Sequence, residues 1–180
     1  MNRKSRAPAE IVVPISVFRV LRRELEKEVG MLPAIQALHH AGFAAGQEAF
    51  GSLTESVGGG VADVPATTFW ERLGGFFQKR GWGTPIHDSP HPGLGVLAAE
   101  DWAEAVPDTI DPEGSCSFST GFLSGLLSGV AGEPVAVLEI ACRSRGDGEC
   151  RFAFGAADVI QDLYGHLLDG ADLPRALAEL

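Results

Sequence analysis

The chain has 180 residues and a formal net charge of −10, enough length for one domain with a substantial core. Its acidic balance argues against recognition of nucleic acid or of an anionic membrane surface, because both rely on Lys and Arg meeting phosphate. No window has the apolar length needed to cross a bilayer.

A basic tail, MNRKSR, opens the chain. Residues 1–10 are expected to be flexible and residues 11–180 to form a single domain. The next segment is helix-like and interrupted by Pro14, unlike the unbroken apolar stretch of a signal peptide. A cytoplasmic location is the simplest expectation, and thiols stay reduced there.

In ISVFRVLRRELEKEVG, Val17, Val20, Leu21 and Leu25 recur at helical spacing with Phe18 beside them, and Gly30 stands where a C-cap belongs. LPAIQALHHAGFAAGQEAFGSL predicts a long helix whose small residues allow close packing. After the connection VGGGVADVP, the segment ATTFWERLGGFFQKRGWG predicts a third helix that stops at Gly81-Trp82-Gly83. TPIHDSPHPGLGVLAAEDW carries two short extended runs around a Pro- and Gly-rich turn, a hairpin signal.

CSFSTGFLSGLLSGVAG then reads as a helix with Gly121, Gly125 and Gly129 four apart, and Ser124 and Ser128 beside them. Such a stripe pairs helices inside a bilayer. This segment is too short and too polar to span one, so the stripe predicts close approach to a neighbouring backbone or sheet. EPVAVLEIACRSRGDGECRFAF is a second hairpin around Gly146 and Gly148, and AADVIQDLYGHLLDG and LPRALAEL close the chain as amphipathic helices. The order of helices, strands, helix, strands and helices is α+β, not a repeating βαβ pattern.

The chain contains three cysteines. Folding CRSRGDGEC about Gly146 sets Cys142 opposite Cys150, with Cβ atoms about 4.5–5.5 Å apart as in any directly opposed antiparallel pair. Two thiolates so placed can converge on one metal, and spacing alone also allows a disulfide. Metal is favoured by the expected reducing compartment, by the unpaired third thiol, and by a carboxylate, Glu139, in the same arm. Glu139 lies three residues before Cys142, so alternation in a flat strand sends the two side chains to opposite faces. A bulge or the end of the strand would be needed to bring them together. His39, His40, His87, His91 and His166 remain alternative fourth ligands. Three thiolates and a carboxylate around a divalent ion leave a net charge of about −2, with Arg143, Arg145 and Arg151 nearby to offset it. Thiolate-rich four-coordinate sites suit zinc, and one closed by four protein ligands is structural.

The stretch CSFSTGFLSGLLSGVAGEPVAVLEIACRSRGDGECRFAFG, residues 116–155, resembles the 4-vinyl reductase-type domain. It has the family's Cys before a Gly-rich helix, a strand ending in Glu-x-x-Cys, a Gly-Asp turn and a Cys followed by Phe. FFQKRGWG and ALHHAGFAAGQEAF resemble earlier parts of that domain. The resemblance implies an α+β fold like that of TRAPP transport-particle subunits, with helices packed on one side of a short antiparallel sheet. It also implies a homodimer formed through the N-terminal helices. It implies Cys116, Glu139, Cys142 and Cys150 as zinc ligands.

The resemblance further implies a pocket for a hydrophobic small molecule between helices and sheet near the metal. Trp82, His87, Trp102, Phe118 and Phe122 are the candidate lining residues, and Trp102 falls where aromatic sensors of this type carry a Trp. The implied function is non-catalytic binding of an aromatic, hydrocarbon or tetrapyrrole-like molecule by a sensor or carrier. One alternative is a reductase or accessory enzyme of (bacterio)chlorophyll or tetrapyrrole synthesis. The chain shows neither a dinucleotide-binding glycine fingerprint nor a spare reactive thiol for it. Another is an adaptor with a filled core and no ligand.

Overall fold

The structure, a computed structural model, describes residues 10–57, 64–105 and 116–180. The basic tail through residue 9 lies outside them, as do residues 58–63 of the glycine-rich connection. Three helices come first: α1 (Ser16–Val29), α2 (Met31–Val57) and α3 (Ala66–Lys79). The hairpin β1 (Ile86–His91) and β2 (Leu94–Ala99) follows, then α4 (Ser117–Ala131). A second hairpin, β3 (Ala136–Ala141) and β4 (Cys150–Gly155), leads into α5 (Ala157–Leu168) and α6 (Leu173–Ala178). Gly30 ends α1 as expected, with φ 88° and its N–H bonded to the Glu26 carbonyl.

The four strands form one antiparallel sheet in the order β1-β2-β4-β3. Strand alternation divides its side chains between two apolar clusters. Leu97, Ala99, Cys150 and Phe152 face the cluster built on α3 and α4, with Leu53 of α2. Leu94, Val96 and Ala153 face a second cluster, closed by Ile160 and Leu163 of α5 and Ala176 of α6. The α+β class is as expected. The large helices α2, α3 and α4 share one face of the sheet, and the short C-terminal pair closes the other.

The glycine stripe of α4 packs on α2, which carries its own. A Cβ on Gly121 or Gly125 would drive into the backbone carbonyls of His39 or Phe43, and one on Gly42 or Gly46 into those of Phe118 or Phe122. The two helices are close enough for each backbone to contact the other. Ser124 and Ser128 hold the start of the next strand: Ser124 Oγ donates to the Val135 carbonyl at 2.6 Å, and Val135 N–H donates to Ser128 Oγ at 2.9 Å. Both partners expected for the stripe, a backbone and a sheet, are therefore present.

Helix α1 buries no residue fully. Only Phe18 turns its ring onto Trp82 and Phe118, at centroid distances of 5.3 and 5.1 Å. Val17, Val20 and Leu21 stay 39 %, 42 % and 46 % exposed. Its helical periodicity is as read, but this chain does not cover the apolar face. Among the described residues, no helix is long and apolar enough to cross a membrane.

Candidate metal centre

Cys116, Glu139, Cys142 and Cys150 converge, with one ligand atom of each lying within 4.8 Å of all the others. Three elements bring them there. Cys116 is the N-cap residue of α4, Glu139 belongs to β3, and Cys150 opens β4 opposite Ala99 of β2. Cys142 follows β3, and its backbone is locked by the turn. Its N–H donates to Asp147 Oδ2 at 2.7 Å, and its carbonyl accepts from the N–H groups of Arg145 and Asp147. A single 3-10 turn, Arg143–Arg145, ends at Gly146, whose φ of 98° suits a residue without a Cβ.

The parity of Glu139 is resolved by a bulge. Glu139 pairs with Phe152 and Ala141 pairs with Arg151, so Ile140 is an extra residue with no partner of its own. The interruption puts Glu139 and Cys142 on one side of the strand although three positions separate them.

The donor set fits zinc. The Sγ atoms of Cys116 and Cys142 are 3.8 Å apart, and all three cysteines are free thiols with no exposed surface. A tetrahedron with Zn–S bonds of about 2.3 Å has edges of about 3.8 Å. Hydrogen bonds to Cys142 and Cys150, followed by burial, push the Cys116 thiol up. Bonds from Cys116 and Cys142 hold the Cys150 thiol down. Burial, followed by the charge of Cys142, raises the Glu139 carboxyl to about 8. Left to itself, such a group keeps most of its protons. A divalent cation is the partner whose field lets all four ionise. Arg145 Nη1 stands 3.7 Å from Glu139 Oε2, whereas Arg151 turns to Glu149 at 3.6 Å.

No histidine joins this cluster. His39 and His40 lie side by side on α2, His91 accepts from Gly93 N–H, His166 faces Glu179, and His87 stacks on Trp70 with centroids 3.7 Å apart.

A second carboxylate, which the sequence reading missed, serves the same helix end. Glu104 accepts from Phe118 N–H at 3.0 Å, Ser119 N–H at 2.7 Å and Ser119 Oγ at 2.5 Å. Trp102 Nε1 donates to that Ser119 Oγ at 2.8 Å. Burial raises the Glu104 carboxyl to about 7, against the pull of these hydrogen bonds. Nothing in EDWAEA marks Glu104 apart from the other acidic residues, because its partners are backbone groups brought in by folding.

Four of the five expected pocket residues form one aromatic cluster. Trp82 lies over Phe118 at 5.9 Å, Phe122 at 5.6 Å and Trp102 at 5.9 Å. Trp102 is 1 % exposed, wedged against Phe77 and Phe152, while Trp82 and Phe118 are half-buried. His87 stands in a separate group with Trp70 and Phe154. It lines a cavity of about 360 Å³ beside the β1–β2 turn.

Residues 107–156 match the family model of the 4-vinyl reductase domain, and this segment contains all four converging side chains. The fold is similar to the phenol-responsive sensory domain of the transcription activator PoxR with phenol. That structure is 18 % identical, with 83 % of this chain and 77 % of that one covered and a TM-score of 0.64. A vinyl-4-reductase family protein from Methanocaldococcus jannaschii is 15 % identical over 81 % and 83 % of the two chains, with a TM-score of 0.51. A trafficking protein particle complex subunit 3 from Naegleria fowleri, covalently bound to palmitic acid, is 11 % identical over 78 % and 91 %, with a TM-score of 0.62. The resemblance read from residues 116–155 and the fold relation to transport-particle subunits are therefore both found. At these identities the solved structures speak for the fold alone. Comparison with curated proteins finds no match.

Proposed function

We propose that this chain is a zinc-stabilised, non-catalytic module that binds a hydrophobic small molecule and acts as a sensor or carrier in the cytoplasm. The observation that carries this reading is the convergence of Cys116, Glu139, Cys142 and Cys150 within 4.8 Å inside a segment of the 4-vinyl reductase type. Four protein ligands leave no open position, so the zinc supplies folding free energy and not an activated water. Residues 11–180 act as one domain.

The half-buried rings of Phe18, Trp82 and Phe118 support an aromatic or hydrocarbon ligand. They gather beside the start of α4, the helix that begins at Cys116. Trp102 supports the floor of this cluster and has already committed its indole N–H to Ser119. The phenol and palmitic acid named for two proteins of similar fold are the reasonable first probes. The uncovered face of α1, with Val17, Val20 and Leu21 exposed, supports dimerisation through the N-terminal helices.

Thermal unfolding of the zinc-loaded chain with phenol, and separately with palmitate, tests the ligand reading. A ligand at about 100 times its Kd adds about 2.7 kcal/mol of stability. The melting temperature of wild type rises with at least one probe, and Trp82→Ala shows a smaller rise. No shift with either probe, or an equal shift in Trp82→Ala, counts against the binding site described.

A further inference from the structure

Cys116 occupies the N-cap position of α4 yet provides no side-chain cap, because its sulfur faces the other thiols, 3.8 Å from Cys142 Sγ. A helix leaves its first backbone N–H groups without intrahelical partners, and an N-cap side chain ordinarily takes one of them. A cysteine turned toward a metal cannot do both. Here two carboxylates divide the work: Glu139 takes the N–H of Cys116, and Glu104 takes those of Phe118 and Ser119.

Glu104 is itself held in one orientation. Ser119 Oγ donates to it while accepting from the Trp102 indole, a residue packed among Phe77, Trp82 and Phe152. A continuous chain of contacts thus runs from the aromatic cluster through Trp102, Ser119 and Glu104 to the turn that carries Cys116.

We propose that Glu104 is a positioning residue of the metal centre, capping α4 in place of Cys116 so that the Cys116 sulfur is free and correctly aimed. This inference rests on the zinc reading above and assigns Glu104 no contact with the ion. Groups that orient metal ligands commonly change metal affinity by about 10–100-fold when removed. Through Ser119 the same device ties the geometry of the site to the packing of Trp102.

The test is zinc affinity of the full chain, measured by competition with a chromophoric chelator, together with the thiolate-to-cobalt absorption of the cobalt(II)-loaded protein. Glu104→Ala is expected to weaken zinc by about 10–100-fold and to shift the cobalt bands. Glu104→Gln, whose amide oxygen can still accept from the helix, restores most of both. Glu104→Ala with wild-type affinity and spectrum, but a lowered melting temperature, overturns the inference and leaves only a helix cap. Should that variant fail to fold, Ser119→Ala decides. Weaker zinc with shifted bands supports the inference, and unchanged binding and bands overturn it. A wild-type chain that takes up no zinc overturns the metal reading itself, an outcome distinct from the others.

Discussion

The backbone N–H of Cys116 points between the two carboxylate oxygens of Glu139, at 3.1 and 3.2 Å, across 23 positions of sequence. One contact therefore ties the start of α4 to β3, and it joins two of the four candidate ligands to each other as well as to the ion they would share. Glu139 has two separable tasks, accepting this hydrogen bond and ligating a cation. Glu139→Gln should keep much of the first and lose much of the second, so zinc affinity falls while the melting temperature of the metal-free protein changes little. Glu139→Ala should lose both. The buried N–H left unpaired costs about 1–3 kcal/mol, read as a lower melting temperature even without metal.

The bulge at Ile140 makes a directional prediction. Inserting one alanine between Ile140 and Ala141 turns Glu139 away from Cys142 and should abolish zinc binding. Deleting Ile140 leaves the two ligands separated by two positions, on one face of a regular strand, and should retain it. Chelator competition on both variants decides. Loss in the deletion together with retention in the insertion contradicts the register described for β3 and β4.

The α2–α4 contact should tolerate no side chain at its crossing. Gly125→Val directs a branched side chain at the carbonyl of Phe43, which is backbone and cannot rotate aside. Overpacking of this kind costs about 1–3 kcal/mol, so the melting temperature should fall clearly. Gly148→Ala, with nothing within 4 Å of its added Cβ, should be near neutral and serves as the control.

The dimer proposal is checked on α1. Leu21, 46 % exposed, lies on the uncovered apolar face. Leu21→Asp should convert a dimer to a monomer in light scattering while leaving the stability of the monomer within about 0.5 kcal/mol of wild type, as expected of a surface change. Wild type that is monomeric at all concentrations removes the proposal.

Much of this was legible in the sequence, for identifiable reasons. The helices are long and periodic, their ends carry Gly30 and Gly81, and both hairpins are bounded by turn residues, so element type and order followed from local signals. The cysteine pair of the second hairpin followed from strand geometry. Glu139 did not, because a bulge is a property of pairing between two strands and leaves no mark in either alone. Only the family resemblance supplied it. Glu104 was invisible for a related reason: its partners are main-chain groups of a distant helix, and every residue offers the same main-chain groups. His87 and Trp102 were grouped by residue type, whereas strand placement separates them, one on β1 against Trp70 and the other beneath Trp82.

The central claim is that four side chains hold one zinc and that this holds the fold. Native mass spectrometry of the intact chain, with elemental analysis of the same sample, tests it most directly. Wild type should carry one zinc per chain. Cys142→Ser should carry none and melt well below wild type, because metal binding at such sites is coupled to folding. A wild-type chain without metal, or a Cys142→Ser chain that melts like wild type, would contradict it.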